Sequence, residues 1–270
     1  MRRLILLPLL AVLPALAEEP GPIQDNSFLL EEAYNQEPGV VQHIFTFMRY
    51  RQSRDWVSTF TQEWPVPDER HQLSFTLPWQ RLSVSPDGRQ SLGDVALNYR
   101  YQAVGNGSAA VAFAPRLSLL LPTGDHRQGR GAGAMGYQAN LPLSVVLGPQ
   151  WVTHVNLGAT WTPGARDLQG DKADLTAWSG GQSFVWLAHP NLNAMLEFAF
   201  TSGETVVGPG LKEHANTAYV SPGLRFALNF QSGLQIVPGI AVPIGVGPSK
   251  GERAVFFYLS FEAPVWHPKK

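Results

Sequence analysis

The chain contains no cysteine. Disulfide staples and thiolate chemistry are therefore excluded, as is a lipid anchor on a mature N-terminal cysteine. It also lacks an excess of positive charge: the formal net charge is −1, which leaves no basic footprint for nucleic acid. Beyond the first residues there is no apolar run long enough for a transmembrane helix. Histidines are few and scattered singly (His43, His71, His126, His154, His189, His214, His267), with no short-spaced pair to hold a metal. Gly129-Arg130-Gly131-Ala132-Gly133 lacks the Lys-Ser/Thr of a phosphate loop and reads as flexible loop. Neither a cofactor nor a metal is expected.

What is present is turn and strand chemistry: 26 Gly, 22 Pro and 11% aromatic residues. The chain opens with Met1-Arg2-Arg3, an apolar run from Leu4 to Leu13, and Ala15-Leu16-Ala17. A basic start, a short apolar core and an A-x-A site are the parts of a secretory signal peptide. Cleavage is expected after Ala17, leaving 270 − 17 = 253 residues, enough for one large domain or two small ones.

The stretch from Tyr137 to Trp161 shows the pattern most clearly. Tyr137, Ala139, Leu141, Leu143, Val145 and Leu147 alternate with a set that includes Gln138, Asn140 and Ser144. After Gly148-Pro149-Gln150 the alternation resumes, with Trp151, Val155, Leu157 and Trp161 against His154, Asn156, Thr160 and Thr162. Period-two alternation puts one set on each face of a sheet. Pairing about the turn sets 147 against 151 and 141 against 157. Each arm is about ten residues, which suits a tilted transmembrane strand. Tyr137, Trp151 and Trp161 stand where a membrane interface favours aromatic rings.

The pattern recurs. Strands are expected over Val41–Arg51, Asp55–Trp64, Gln72–Arg81, Gly93–Ala103 and Ala109–Leu121, then over the two arms above. Further strands are expected over Ala173–His189, Asn191–Thr201, Ala215–Phe230, Leu234–Ile244 and Val255–Trp266. Gly180-Gly181 breaks the alternation and predicts a bulge. Twelve strands put both termini on one side. The short turns Pro65–Arg70, Val104–Ser108, Gly148–Gln150, His189–Asn191 and Gln231–Gly233 then fall together. The longer connections Ser83–Gln90, Pro122–Gly133, Pro163–Lys172, Gly203–Glu213 and Gly245–Glu252 fall opposite, with one short turn near Ser53. This is the outer-membrane arrangement. The fold class is all-β: a transmembrane antiparallel up-and-down β-barrel of about twelve strands, over residues 41–266, with a tail at 267–270. A secreted β-sandwich is the soluble alternative, since alternating strands are equally its signature.

Residues 18–40 precede the barrel as an N-terminal periplasmic segment. Asp25-Asn26-Ser27 before Phe28–Tyr34 reads as a capped short helix, stopped by Pro38-Gly39. It is expected to plug the barrel mouth, rest at the periplasmic rim, or act as a loose leader.

Three segments carry a family resemblance. They are Ser91-Leu92-Gly93-Asp94-Val95 leading into Asn98-Tyr99-Arg100-Tyr101, then Leu119-Leu120-Leu121-Pro122-Thr123-Gly124-Asp125, and Val237-Pro238-Gly239-Ile240 with Pro243-Ile244-Gly245-Val246-Gly247. Together with the alternating strands they resemble the MetA-pathway of phenol degradation family of bacterial outer-membrane barrels. The resemblance implies a channel or transporter for small molecules, hydrophobic or aromatic ones among them, and no catalytic set. Such barrels commonly end on an aromatic residue. Here Trp266 is followed by His267-Pro268-Lys269-Lys270. Expected partners are outer-membrane lipid, the barrel-assembly machinery and periplasmic chaperones during biogenesis, and a small-molecule solute.

The polar residues between the apolar positions form the expected functional surface. Asp94, Arg100, Arg116, Asn140, Asn156, Glu197, Arg225 and Glu262 share the face assigned to the lumen. They could line a solute path, or pair across a narrow lumen and fill it. A filled lumen would make the protein a structural or adhesive barrel. A catalytic alternative places Ser144 opposite His154, with Asn156 orienting, as a membrane-embedded hydrolase. It needs oxyanion donors that the sequence does not identify.

Overall fold

The computed structural model describes residue 23 and residues 27–265. The expected leader, Asp25 and Asn26 of the expected cap, Trp266 and the tail lie outside the described residues.

Twelve antiparallel wall strands close into one barrel. They are β1 (Val40–Tyr50), β2 (Trp56–Pro65), β3 (His71–Arg81), β4 (Ser91–Leu92 and Val95–Tyr101), β5 (Val111–Phe113 and Arg116–Leu121) and β6 (Gly136–Asn140 and Leu143–Gly148). The second half comprises β7 (Trp151–Arg166), β8 (Lys172–His189), β9 (Leu192–Gly208), β10 (Leu211–Phe226 and Leu228–Asn229), β11 (Gln235–Ala241 and Ile244–Gly245) and β12 (Ala254–Pro264). Each pairs with its sequence neighbour. Closure comes from β1 on β12, in register from Val40↔Pro264 to Tyr50↔Ala254. The split strands are interrupted largely at prolines, which lack the N–H a ladder requires. Their carbonyls still take part: Tyr101 N–H donates to Pro115 O at 3.0 Å and Ala254 N–H to Pro243 O at 2.8 Å.

The β6–β7 hairpin has the expected register from Val152↔Val146 onward; at the turn the register shifts, and Trp151 pairs with Gly148 rather than with Leu147. Ser144 lies opposite His154, and Leu141 N–H donates to Leu157 O at 2.8 Å. Leu147, Trp151, Leu157 and Trp161 face outward and are exposed, as are Leu117, Leu119, Phe198 and Phe200 on other strands. Asn98, Ser118, Asn140, Ser144, Asn156, Ser183 and Glu197 face inward and are buried. A soluble barrel would reverse these faces. An outward apolar belt on a closed barrel is a lipid-facing surface, and the protein is an outer-membrane barrel. Stacked rings mark the two edges of the belt: Trp151–Trp186 at 6.3 Å and Tyr137–Trp161 at 5.7 Å between centroids. Ten residues of strand separate Trp151 from Trp161. At ~3.3 Å per residue and ~45° tilt that spans roughly 23 Å, close to the ~25 Å of an outer-membrane apolar band.

Three local expectations are corrected. No helix forms over 28–34; that stretch is irregular and none of residues 27–38 joins a strand. Its backbone groups are taken by side chains of the wall, which outcompete a lone helical turn. No bulge occurs at Gly180-Gly181: β8 pairs without a shift from Leu175 to Trp186 on one side and from Ala177 to Leu187 on the other. The apparent phase break arises because Gln182 lies on the outward face, where its amide donates to Thr153 Oγ1 at 3.1 Å. The hydrogen-bonded wall therefore removes the lateral opening that a bulge there would suggest. Finally, the long loop expected at Gly203–Glu213 is mostly strand. β9 and β10 remain paired to Val206↔Lys212, so the hairpin projects as a ribbon with a short turn.

Candidate functional site

The site is the lumen, and residues 27–38 lie in it. The segment enters beside β9 and β10, where Arg225 donates to Ile23 O at 3.0 Å. It climbs to the level of Glu197 and Asn156, then returns along β6, β4 and β3 to Pro38 and the start of β1.

Its backbone is bonded at alternate residues, as in a strand, but to side chains. Leu29 N–H donates to Glu197 at 2.9 Å, and Glu31 N–H to Asn156 at 2.9 Å. Ala33 N–H donates to Ser144 at 2.8 Å, and Asn35 N–H to Gln102 at 3.0 Å. Gln36 N–H donates to Gln72 at 2.8 Å. The same amides also answer carbonyls: Asn156 donates to Glu31 O and Gln102 to Ala33 O, each at 2.8 Å. Arg100 donates to Tyr34 O at 2.6 Å. Buried backbone groups need partners, and here the wall supplies them.

Two adjacent carboxylates fix the segment to opposite sides of the wall. Glu31 pairs with Arg116 at 2.6 Å and accepts from Asn140 at 2.9 Å. Glu32 pairs with Arg225 at 3.0 Å, with both side chains almost fully buried. Ser27 also donates to Glu32, at 3.3 Å. Such pairing is what keeps a buried charge tolerable.

Apolar side chains of the segment fit the rest of the wall. Inward-facing Ile44, Val185, Met195, Val237, Ala241, Phe256 and Tyr258 form one cluster with Ile23 and Phe28. The Phe28 ring lies 5.6 Å from Phe256 and 5.7 Å from Tyr258. Leu30 sits over Gly181, where an added Cβ would come within 2.7 Å of Leu30 Cδ2. Gly181 is thus a seat for Leu30 rather than a break in the sheet, while Gly180 lies on the other face beside Leu157.

The sequence-expected lumen residues divide into three groups. Arg100, Arg116, Asn140, Asn156, Glu197 and Arg225 converge on the segment. Glu262 lies nearer the short-turn end and accepts from Gln42 at 2.8 Å; Gln42 in turn accepts from Gln36 at 2.7 Å. Asp94 lies apart, toward the outer loops, where it accepts from Gly124 N–H at 2.9 Å and Ala132 N–H at 2.7 Å. Phe28, Glu31, Glu32, Gln72 and Gln102 were not singled out from the sequence. Two acidic residues inside an apolar stretch were the available signal.

Ser144 and His154 do meet, at 2.7 Å between Oγ and Nδ1. The group beyond His154 is Glu32, 3.5 Å from Nε2, and not Asn156. Ser144 Oγ also accepts the Ala33 N–H, and both side chains are buried. The pair binds backbone in this arrangement.

Space remains on both sides of the segment. A cavity of about 1150 Å³ opens toward the short turns, with Tyr34, Gln102, His154, Arg225 and Glu262 in its lining. A second, of about 600 Å³, lies among the outer loops near Asp94, His126, Arg130 and Leu168.

No protein-family model and no curated relative matches this sequence. Among solved structures, an outer membrane channel from Pseudomonas putida F1 superposes with a TM-score of 0.67 at 14% identity, covering 85% of this chain and 97% of that one. The NanC porin superposes with a TM-score of 0.55 at 10% identity, covering 81% of this chain and 98% of that one. These likenesses establish a fold shared with outer-membrane channels.

Proposed function

We propose that the protein is an outer-membrane channel for small molecules, closed at rest by residues 27–38. One observation carries the reading: the closing segment is bonded to wall side chains and belongs to no strand. It can leave the lumen without breaking a ladder hydrogen bond between wall strands. A barrel filled for strength alone needs only side chains meeting across the lumen. The solute class we assign is small and hydrophobic or aromatic. The inner-wall cluster of Val185, Val237, Phe256 and Tyr258 supports it, because a uniformly polar lumen would offer such a solute no surface. We read the protein as non-catalytic, because Ser144 holds the segment backbone while the lumen is closed, and departure of the segment takes away Glu32, the group beyond His154.

The alternative is a structural barrel with a permanently filled lumen. It is favoured by the ion pairing of both Glu31 and Glu32. Single-channel conductance in a planar bilayer decides between them, measured with and without residues 18–38. A channel closed by its segment conducts steadily after the deletion and rarely before it. Silence in both forms establishes the filled barrel.

A further inference from the structure

We infer that the wall patch holding Phe28 and Glu32 is a binding site for a small aryl carboxylate, and that these two side chains are its tethered occupants. The inference rests on the reading of residues 27–38 as a separable closure.

The ring seat is built by omission. Gly223 on β10 and Gly239 on β11 face the lumen as diagonal neighbours, Gly223 opposite Ala241 and Gly239 opposite Arg225. An added Cβ at Gly223 would lie 2.5 Å from Phe28 Cε2, and one at Gly239 would lie 2.5 Å from Cε1 and 2.6 Å from Cζ. Either side chain would evict the ring. Phe256 and Tyr258 close the seat, both tilted toward the ring. The result is a slot of aromatic thickness in a wall whose other inward positions are largely polar.

The carboxylate seat adjoins it. Arg225 is two residues from Gly223 and lies opposite Gly239 in the β10–β11 register. A Cβ on Gly239 would come 3.3 Å from Arg225 Cβ. The guanidinium holds the Glu32 carboxylate at 3.0 Å, a charge-assisted bond of the stronger class. Phe28 and Glu32 therefore present a benzene ring and a carboxylate to one continuous patch. A single small molecule carrying both groups makes the same two contacts. The tethered pair competes at an effective concentration on the order of millimolar, as for other short flexible tethers, so an untethered ligand must exceed that level to displace it.

The test uses the full chain, refolded in detergent, with 3-phenylpropionate as the probe and isothermal titration as the readout. Phe28→Ala with Glu32→Ala empties both seats and leaves the segment backbone bonded through residues 29, 31 and 33. This double variant is expected to bind the probe about tenfold or more tighter than the wild type. The neutral 3-phenylpropanol and the ringless propionate are each expected to bind it at least about tenfold more weakly than the probe. Adding Gly239→Leu, which fills the slot, abolishes binding. The inference is overturned if the double variant, shown to be a barrel by circular dichroism and heat-modifiable gel mobility, binds the probe no better than the wild type. It is equally overturned if alcohol and acid bind alike, or if Gly239→Leu changes nothing. Equilibrium binding requires no passage. A barrel that binds the probe but never conducts therefore removes the channel reading alone, and one that conducts without binding removes this inference alone.

Discussion

At the scale of single residues, Arg225 carries the most consequence. Its side chain is buried and pairs with a buried carboxylate. Arg225→Gln leaves the buried Glu32 with Ser27 and His154 but without its guanidinium partner, and breaking a buried pair from one side typically costs about 3–5 kcal/mol. The loss falls on segment attachment rather than on the ladder. Limited proteolysis of the variant should therefore cut within residues 27–38 while the barrel stays intact; an equally protected segment would disprove the role assigned to Arg225. Gly239→Ala should loosen the segment similarly, by pushing the Phe28 ring off its seat. The sequence marks Arg225 as a lumen residue through its place between Leu224 and Phe226. It gives no hint of Gly239 as a seat, because the residue that needs the space is far away in the chain.

At the scale of elements, legibility depends on where a segment finds its hydrogen bonds. The arms of β6 and β7 pair with each other, so local alternation and one turn determine their register. Residues 27–38 bond to side chains on β1 and on β3 through β10, and no local pattern encodes that. A capping-type sequence before Phe28 argues for a helix on local grounds, and distant amides override it. The outer loops offer a separate prediction. Arg130 binds both oxygens of Asp87, at 2.9 and 3.0 Å, and ties the loop after β3 to the loop after β5. The Arg130 hydrogen bonds, aided by the Arg89 N–H, hold the Asp87 carboxyl below its ordinary pKa. A depressed carboxylate stabilises the folded form above its unfolded pKa, and that contribution is lost as pH falls through the folded value. Hydrogen exchange in residues 83–90 and 122–133 should thus accelerate in acid below the ordinary carboxylate range. Asp87→Asn should show fast exchange already at neutral pH, with this acid dependence removed.

At the scale of the whole molecule, the apolar face points outward, and a charge placed on it should destabilise according to depth. Leu157 is 61% exposed near the middle of the belt. Leu157→Arg is expected to cost about 2–4 kcal/mol at mid-depth, read as a shift in the urea midpoint in lipid vesicles. An unchanged midpoint would mean that this face does not meet lipid. Strand count and closure were legible because period two recurs in nearly every wall segment; the direction of the faces was legible only through the secretory leader, the even strand count and the loop asymmetry, since alternation alone fits either direction. The state of the lumen was not, since a residue facing inward looks the same whether it meets water, another wall strand or a threaded chain. The segment's binding surface also has a temporal consequence. Its partners are spread around the circumference, from β3 to β12, so the seat does not exist until the final strand has met the first. Residues 27–38 precede all the wall strands in the chain, yet they complete their contacts only after them. Their burial therefore reports that assembly has finished, and a chain arrested before β12 joins β1 should leave them open to protease.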